Sequence, residues 1–328
     1  MDKKGRIFSG MRPTGPLHLG HLVGALENWV AFQDECECIY CIVDWHALMS
    51  EYKDTSALKQ NVRGMLADWL ACGIDPEKSI VFVQSEVPEH LELMLVFGIV
   101  TPLPWVERVP TFKEQVDALQ EKEVYTYAFL GYPVLQAADI CLYKADTVPV
   151  GEDQLPHLEL TREIVRRFNN LCNVRLFPEP EARLTPTPRL LGLDRRKMSK
   201  SYNNYISLSE PPDVLKTKVL GMITDESRIR KSDPGHPDVC NVCGYYKVFA
   251  PEKLSAVETE CRNASRGCVA CKRELAETLE AIVAPIRQKR AALLHDPSLI
   301  DDVLETGRRR ASAIAKSVMA EVRSTLNL

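Results

Sequence analysis

Short apolar runs alternate with helix-period segments through the first half of the chain. "RIFSG" (6–10) is followed by an amphipathic stretch from Leu17 to Asp34, "CIYCIVD" (38–44) by Ser56 to Cys72, and "SIVFVQS" (79–85) closes the series. Runs of four to eight apolar residues between helical patterns predict buried parallel strands joined by crossover helices. "DTVPVGEDQ" (146–154) reads as a further buried strand that ends in polar residues. Open α/β sheets bind ligands beyond such carboxyl ends. The Pro-rich "PEPEARLTPTPRLLG" (178–192) interrupts the pattern and predicts a hinge or connection. Beyond "SEPPD" (209–213), Leu275, Leu279, Ile282 and Ile286, then Ile314, Val318, Val322 and Leu326, recur at helical spacing. The expectation is an α/β, Rossmann-like parallel-sheet domain over residues 1–206 and a mainly helical domain over residues 207–328.

Composition narrows the class without choosing a function. The 328 residues exceed one typical domain, and 45% hydrophobic with 26% charged residues is ordinary for a globular chain. No apolar stretch reaches the ~18 residues of a membrane span. The charged start, Met1 to Arg6, lacks the apolar core of a signal peptide, so a cytoplasmic protein is expected. A net charge of -4 means that any nucleic-acid contact has to come from a local basic surface. The eleven cysteines are distributed unevenly: six are scattered, mostly in apolar runs, and five crowd residues 240 to 271. An odd count in a chain of this kind favours thiols, metal ligands or core packing over disulfides.

Two segments carry candidate phosphate chemistry. In "SGMRPTGPLHLGHLVGAL" (9–26) a strand turns into a helix opening near His18, Gly20 and His21. A helix start offers unpaired amide hydrogens to phosphate, Gly20 permits close approach, and histidines three apart share a face. Two surface histidines on an amphipathic helix would look the same. In "RRKMSKSYNN" (195–204), Lys197 and Lys200 bracket Met198 and Ser199, followed by Ser201. Two ammonium groups on such a loop could bind a leaving pyrophosphate, although many basic clusters are only solvated loops.

HxGH after the first strand and KMSKS after the last together resemble the signature pair of the class I aminoacyl-tRNA synthetases. The likeness sharpens over "YPVLQAADICLYKADTVPVGEDQLPHLELTREIVRRFN" (132–169), which is similar to the amino-acid pocket of the bacterial tryptophanyl-tRNA synthetases. It extends through "CIVDWHAL", "VQSEVPEH" and "DDVLETGRRRASAIAKSVMAEV" to essentially the whole chain. The resemblance implies that Asp139 accepts the indole N–H, with Tyr132, Gln136, Gln154, Phe8, Gly10 and Val43 around the amino acid. For ATP it implies Arg12, Pro13, Thr14, Gly20, His21, Gly151, Glu152, Asp153, Leu190, Lys197, Met198, Ser199, Lys200 and Ser201, with magnesium accompanying the nucleotide. His18, His21, Lys197 and Lys200 are the expected catalytic donors. It also implies L-tryptophan and tRNA(Trp) as substrates and a homodimer. An indole nitrogen is only a donor and a carboxylate only an acceptor, so the chemistry suits the pairing. Gln136 stands where several relatives carry methionine and suits a phenol oxygen, which keeps tyrosine as the alternative amino acid. A retired, RNA-binding relative is the alternative outside catalysis, and the intact motifs oppose it.

"ETGRRRASAIAKSV" offers Arg308, Arg309, Arg310 and Lys316 to tRNA phosphates, or forms a solvated helix face. For the five crowded cysteines two tetrads compete. Cys240, Cys243, Cys268 and Cys271 make paired CxxC knuckles suited to zinc. Cys240, Cys261, Cys268 and Cys271, with gaps of 20, six and two residues, resemble the 4Fe-4S site of cluster-bearing members of the family and are favoured, with Cys243 a spare neighbour.

Overall fold

The computed structural model describes residues 3–109, 126–184 and 190–328; for Ser201 only the backbone is described. Part of the Pro-rich connection, residues 185–189, lies outside that set. The chain divides into two compact units. Met1–Gly15, Asn28–Pro186 and Asp296–Leu328 form one, and Pro16–Glu27 with Thr187–His295 the other. The units are therefore interleaved in sequence, with a stretch of the first helix in the second unit and the last helix in the first.

The first unit is built on five parallel strands: β1 (Arg6–Met11), β2 (Glu37–Ile42), β3 (Ser79–Val83), β4 (Thr147–Val150) and β5 (Glu181–Leu184), in the spatial order β3-β2-β1-β4-β5. The order reverses between β1 and β4, and a crevice opens beyond the carboxyl ends of the strands at such a reversal. β2 and β3 are buried along nearly their whole length, as central parallel strands should be. β5 corrects the sequence reading: "EARL" inside the Pro-rich connection pairs with β4. It went unread because an edge strand half in solvent carries no apolar run.

Helices α3 (Asp44–Glu51), α4 (Leu58–Ala71), α5 (Glu89–Val100), α6 (Leu103–Glu107), α7 (Tyr127–Cys141) and α8 (Leu155–Cys172) follow the strands. Before them the chain runs from α1 (Leu19–His21) through a π-helical turn, Leu22–Leu26, into α2 (Glu27–Glu35). Single π turns inside helices are uncommon and cluster at functional sites.

The last helix, α13 (Pro297–Leu326), belongs to the sheet unit. Its Gly307 lies against the backbone of Val81 in β3, where any β-carbon would collide with the Val81 carbonyl. Arg310 donates to the carbonyls of Pro76 (2.9 Å) and Ser79 (3.0 Å), and Arg308 pairs with Glu305. Arg310 is therefore a strut of the sheet, whereas Arg309 and Lys316 remain exposed. Ala311, Ala315, Val318, Met319 and Val322 join the main core, accounting for the apolar spacing seen in sequence.

In the second unit α9 (Pro212–Leu220), α10 (Asn241–Phe249), α11 (Pro251–Arg262) and α12 (Cys268–His295) pack together, burying Leu275, Leu279 and Ile286 as expected. Arg287 ties α12 to the chain before α9 by donating to the Glu210 carbonyl at 2.7 Å. No helix among the described residues is long and apolar enough to cross a membrane.

Candidate active site

In the sheet unit, α7 carries Tyr132, Gln136 and Asp139 at positions i, i+4 and i+7, one face of the helix. Thr126 fixes the start of α7 by accepting from the amide of Phe129 at 3.2 Å. Asp139 is 2% exposed. Its Oδ1 accepts from Gln84 Nε2 (2.7 Å) and His90 Nδ1 (2.6 Å), and its Oδ2 from His46 Nε2 (2.8 Å). Burial pushes this carboxyl's pKa up, but the hydrogen bonds from His46 and His90 outweigh it and hold the value at about 2. The group is thus a buried, ionised acceptor held by three polar side chains. His90 Nε2 is 2.8 Å from the Tyr143 hydroxyl, and Tyr143 stacks on Phe8 with ring centroids 5.5 Å apart.

These donors come from the ends of β2 and β3. His46 lies on α3, Gln84 in the 3₁₀ turn after β3, and His90 on α5. Asp44 braces the arrangement by accepting from the Ser85 amide (2.9 Å) and hydroxyl. Gly10 and Val43 meet at the ends of β1 and β2, so closely that a β-carbon on Gly10 would sit 2.8 Å from Val43 Cγ1. Tyr132 reaches His157 Nε2 at 3.2 Å. Burial lowers the His157 pKa to about 4. Gly151, Glu152 and Asp153 are exposed beyond β4, with Gln154 half-buried behind them, its amide closing the turn on the Gly151 carbonyl at 3.0 Å. Arg12 is exposed, Pro13 buried and Thr14 half-buried in the loop after β1.

In the second unit the HxGH and KMSKS segments meet. The rings of His18 and His21 are 3.8 Å apart between centroids. A β-carbon on Gly20 would lie 3.1 Å from Met198 Sδ, so HxGH and KMSKS are immediate neighbours. Leu19 donates its amide to Ile206 (3.1 Å), and Leu208 to Leu17 (2.9 Å), tying the histidine segment to the chain that leaves the lysine loop. Burial, and after it the nearby Lys200 ammonium, lower the His18 pKa to about 4. His21 is lowered well below the ordinary value by burial, His18 and Lys200. Both imidazoles are therefore neutral donors at pH 7. His18 Nδ1 is buried without a hydrogen-bond partner among the described residues.

The lysine loop is shaped by Asn204, which sequence reading passed over. This buried side chain donates to Asp194 (2.7 Å) and to the Lys197 carbonyl (3.1 Å), and accepts from the Ser199 amide (2.8 Å). Arg195 turns the loop with a φ of 66°. From α10, Asn241 donates to the Gly192 carbonyl (2.8 Å) and Tyr245 to the Leu191 carbonyl (2.9 Å). Leu190 lines a cavity of about 350 Å³ with Leu191, Arg195, Asn241 and Tyr245. The helix that holds the loop begins directly after Cys240.

Cys240, Cys243, Cys261, Cys268 and Cys271 all line one small cavity of about 20 Å³, together with Arg228 and Arg266. Arg228 lies 3.9 Å from Cys261 Sγ and 3.8 Å from Cys268 Sγ. Gly235 leaves room for Cys261 Sγ, and its amide binds the Cys261 carbonyl at 3.0 Å. Among the described residues no group of three or more His, Cys, Asp or Glu is arranged to hold a metal ion. The thiols thus converge without forming a ready ion site.

A doubly wound parallel sheet with HxGH beside KMSKS defines the class I aminoacyl-tRNA synthetase architecture. Residues 1–284 match the profile of the class I tRNA synthetases for W and Y, and the chain belongs to that family. It is 51% identical to the tryptophan–tRNA ligase of Thermotoga maritima over 98% of this chain and 99% of that one. It is 43% identical to that of Deinococcus radiodurans, covering 97% of both chains. The tryptophanyl-tRNA synthetase of Campylobacter jejuni, solved with ADP and tryptophan, superposes with a TM-score of 0.90 at 32% identity, covering 98% of this chain and all of that one.

Proposed function

We propose that the protein is a cytoplasmic tryptophan–tRNA ligase in which Asp139 receives the indole N–H. The observation that carries this reading is the buried, ionised carboxylate of Asp139 on the face of α7 that also presents Tyr132 and Gln136. A side chain without an N–H would leave that carboxylate short of a donor, which is how polar sites reject close analogues. The substrate carboxylate attacks the α-phosphate of ATP, giving tryptophanyl-adenylate and releasing pyrophosphate. A terminal ribose hydroxyl of tRNA(Trp) then attacks the acyl carbon, and AMP leaves. Catalysis is positioning and charge stabilisation, with no protein nucleophile. His18 and His21 donate as neutral imidazoles, Lys197 and Lys200 offset charge on the departing pyrophosphate, and Mg²⁺ travels with ATP. Gly151, Glu152, Asp153, Arg12 and Thr14 serve the nucleoside, and Gln154 and Tyr132 the amino group.

The proposal extends to a 4Fe-4S cluster on Cys240, Cys261, Cys268 and Cys271. Support comes from the spacing, the convergence of the thiols on one cavity, and two guanidinium groups placed to offset thiolate charge. Bound there, the cluster would cross-link a loop-rich region and fix helices used on the anticodon. Cys243 lines the same cavity, so the zinc tetrad is the competing arrangement, and iron and zinc content of the purified protein decides between them. A homodimer is supported by the apolar stripe Leu95, Ile99 and Leu103, which are 66%, 76% and 56% exposed; sedimentation tests it.

The deciding experiment is amino-acid-dependent exchange of pyrophosphate into ATP, with tryptophan and tyrosine run in parallel. Tryptophan alone should support exchange, and Asp139→Asn should abolish its advantage. Equal exchange with tyrosine would end this reading.

A further inference from the structure

Asp139 accepts three hydrogen bonds, and their distribution over its two oxygens is uneven. An ionised carboxylate offers about four lone-pair directions, two on each oxygen. On Oδ1 both are taken, by Gln84 at 2.7 Å and His90 at 2.6 Å. On Oδ2 one is taken, by His46 at 2.8 Å, and one is left. His90 is fully buried, so it meets no substrate itself. Nδ1 donates to the carboxylate, and the other ring nitrogen lies 2.8 Å from the hydroxyl of Tyr143. Tyr143 is itself fully buried and wedged between Phe8 and Phe82, with centroids 5.5 and 5.6 Å away. The phenol cannot turn aside, so it fixes the tilt of the imidazole, while the carboxylate, an acceptor only, requires the proton on Nδ1.

We propose that His90, locked by Tyr143, is a positioning residue for amino-acid selection: by filling Oδ1 it leaves one acceptor direction on Oδ2 for the ring N–H of the substrate. This rests on Asp139 being the indole acceptor, and it adds what makes that acceptor directional. A carboxylate free to rotate, or with a second open lone pair, would admit water or a hydroxyl-bearing ring at little cost. One with a single open direction pays the full penalty for any ring that brings no donor there.

The test uses the full chain and pyrophosphate exchange with two amino acids: L-tryptophan and its isostere with sulfur in place of the ring N–H, β-(benzothiophen-3-yl)-L-alanine. The quantity read is the ratio of the two kcat/KM values. Tyr143→Phe removes one buried oxygen and should lower that ratio about three- to tenfold, the size of one hydrogen bond, through a higher KM for tryptophan with kcat nearly unchanged. His90→Leu should lower it at least as far. His90→Gln, whose amide can still donate to Oδ1, should recover most of it. An unchanged ratio in Tyr143→Phe and His90→Leu, beside a collapsed ratio in Asp139→Asn, would reduce His90 to a packing residue. An unchanged ratio in all of these, Asp139→Asn included, would instead overturn the assignment of Asp139. If His90→Leu does not fold, Tyr143→Phe decides alone, because it keeps the ring and its stacking.

Discussion

The pocket around Asp139 and the loop around Lys200, which the proposed function assigns to one reaction, are constructed in opposite ways. Asp139 is enclosed by donors from three other elements, all fixed by packing, so its orientation is set before any substrate arrives. The lysine loop holds its backbone through Asn204, Asn241 and Tyr245, while Lys197 stays exposed and Lys200 half-exposed. Selection among similar rings demands a rigid acceptor, since a tenfold preference needs only ~1.4 kcal/mol of misplacement to vanish. Stabilising a phosphate whose charge moves during the reaction demands donors that can follow it. The contrast teaches that rigidity and burial go together here: the acceptor is shut in among its donors, and the lysines lie toward solvent on a braced backbone.

Breaking the rigid side should be the most damaging change. Asp139→Ala leaves His46, Gln84 and His90 without their acceptor, and should cost about 3–5 kcal/mol of stability along with tryptophan activation, read by urea unfolding and pyrophosphate exchange. On the adaptable side the same comparison predicts activity loss without stability loss. Lys200→Ala should lower kcat for exchange by about 10²–10³ while the unfolding midpoint stays put. A midpoint shift comparable to that of Asp139→Ala would erase the distinction.

Asn204→Ala sharpens it further, because it loosens the loop without removing a charge. Losing two donated bonds and one accepted bond should reduce kcat/KM about tenfold, mostly in kcat, with adenylation measured at saturating ATP.

The smallest effect is a pH dependence shared by the two units. His157 in one and His18 in the other are held near 4, below the 6.5 of a free imidazole. In each case the unfolded chain binds the proton first, so stability is full above about pH 6.5 and falls as pH drops toward 4. Asp139, held at about 2 against its ordinary 3.8, acts with the same sign at lower pH, and its contribution is lost only as pH falls below 3.8 toward 2. Urea midpoints should therefore decline between pH 6.5 and 4.5. His157→Gln and His18→Gln should each flatten part of that slope.

Much of this was legible in the residues themselves. The strands β1 to β4 announced themselves as apolar runs, and HxGH and KMSKS as motifs. What escaped were groups whose role appears only in three dimensions. His46, Gln84 and His90 sit in quoted segments, yet nothing in "CIVDWHAL" or "VQSEVPEH" says that their side chains converge on a carboxylate far along the chain. Asn204 looks like any polar residue after a basic run. The π turn at Leu22–Leu26 has no sequence mark, and α13 reads equally well as part of either unit because a helical period reports a buried face without naming its partner.

That last helix carries a consequence for biosynthesis. β3 is translated more than two hundred residues before Gly307 and Arg310 arrive to cover it. At ~5–20 residues per second, the ribosome leaves the sheet's flank bare for some ten seconds or longer. Throughout that interval the nascent chain exposes Val81 and its neighbours to chaperones, and the sheet is finished only when the final helix emerges.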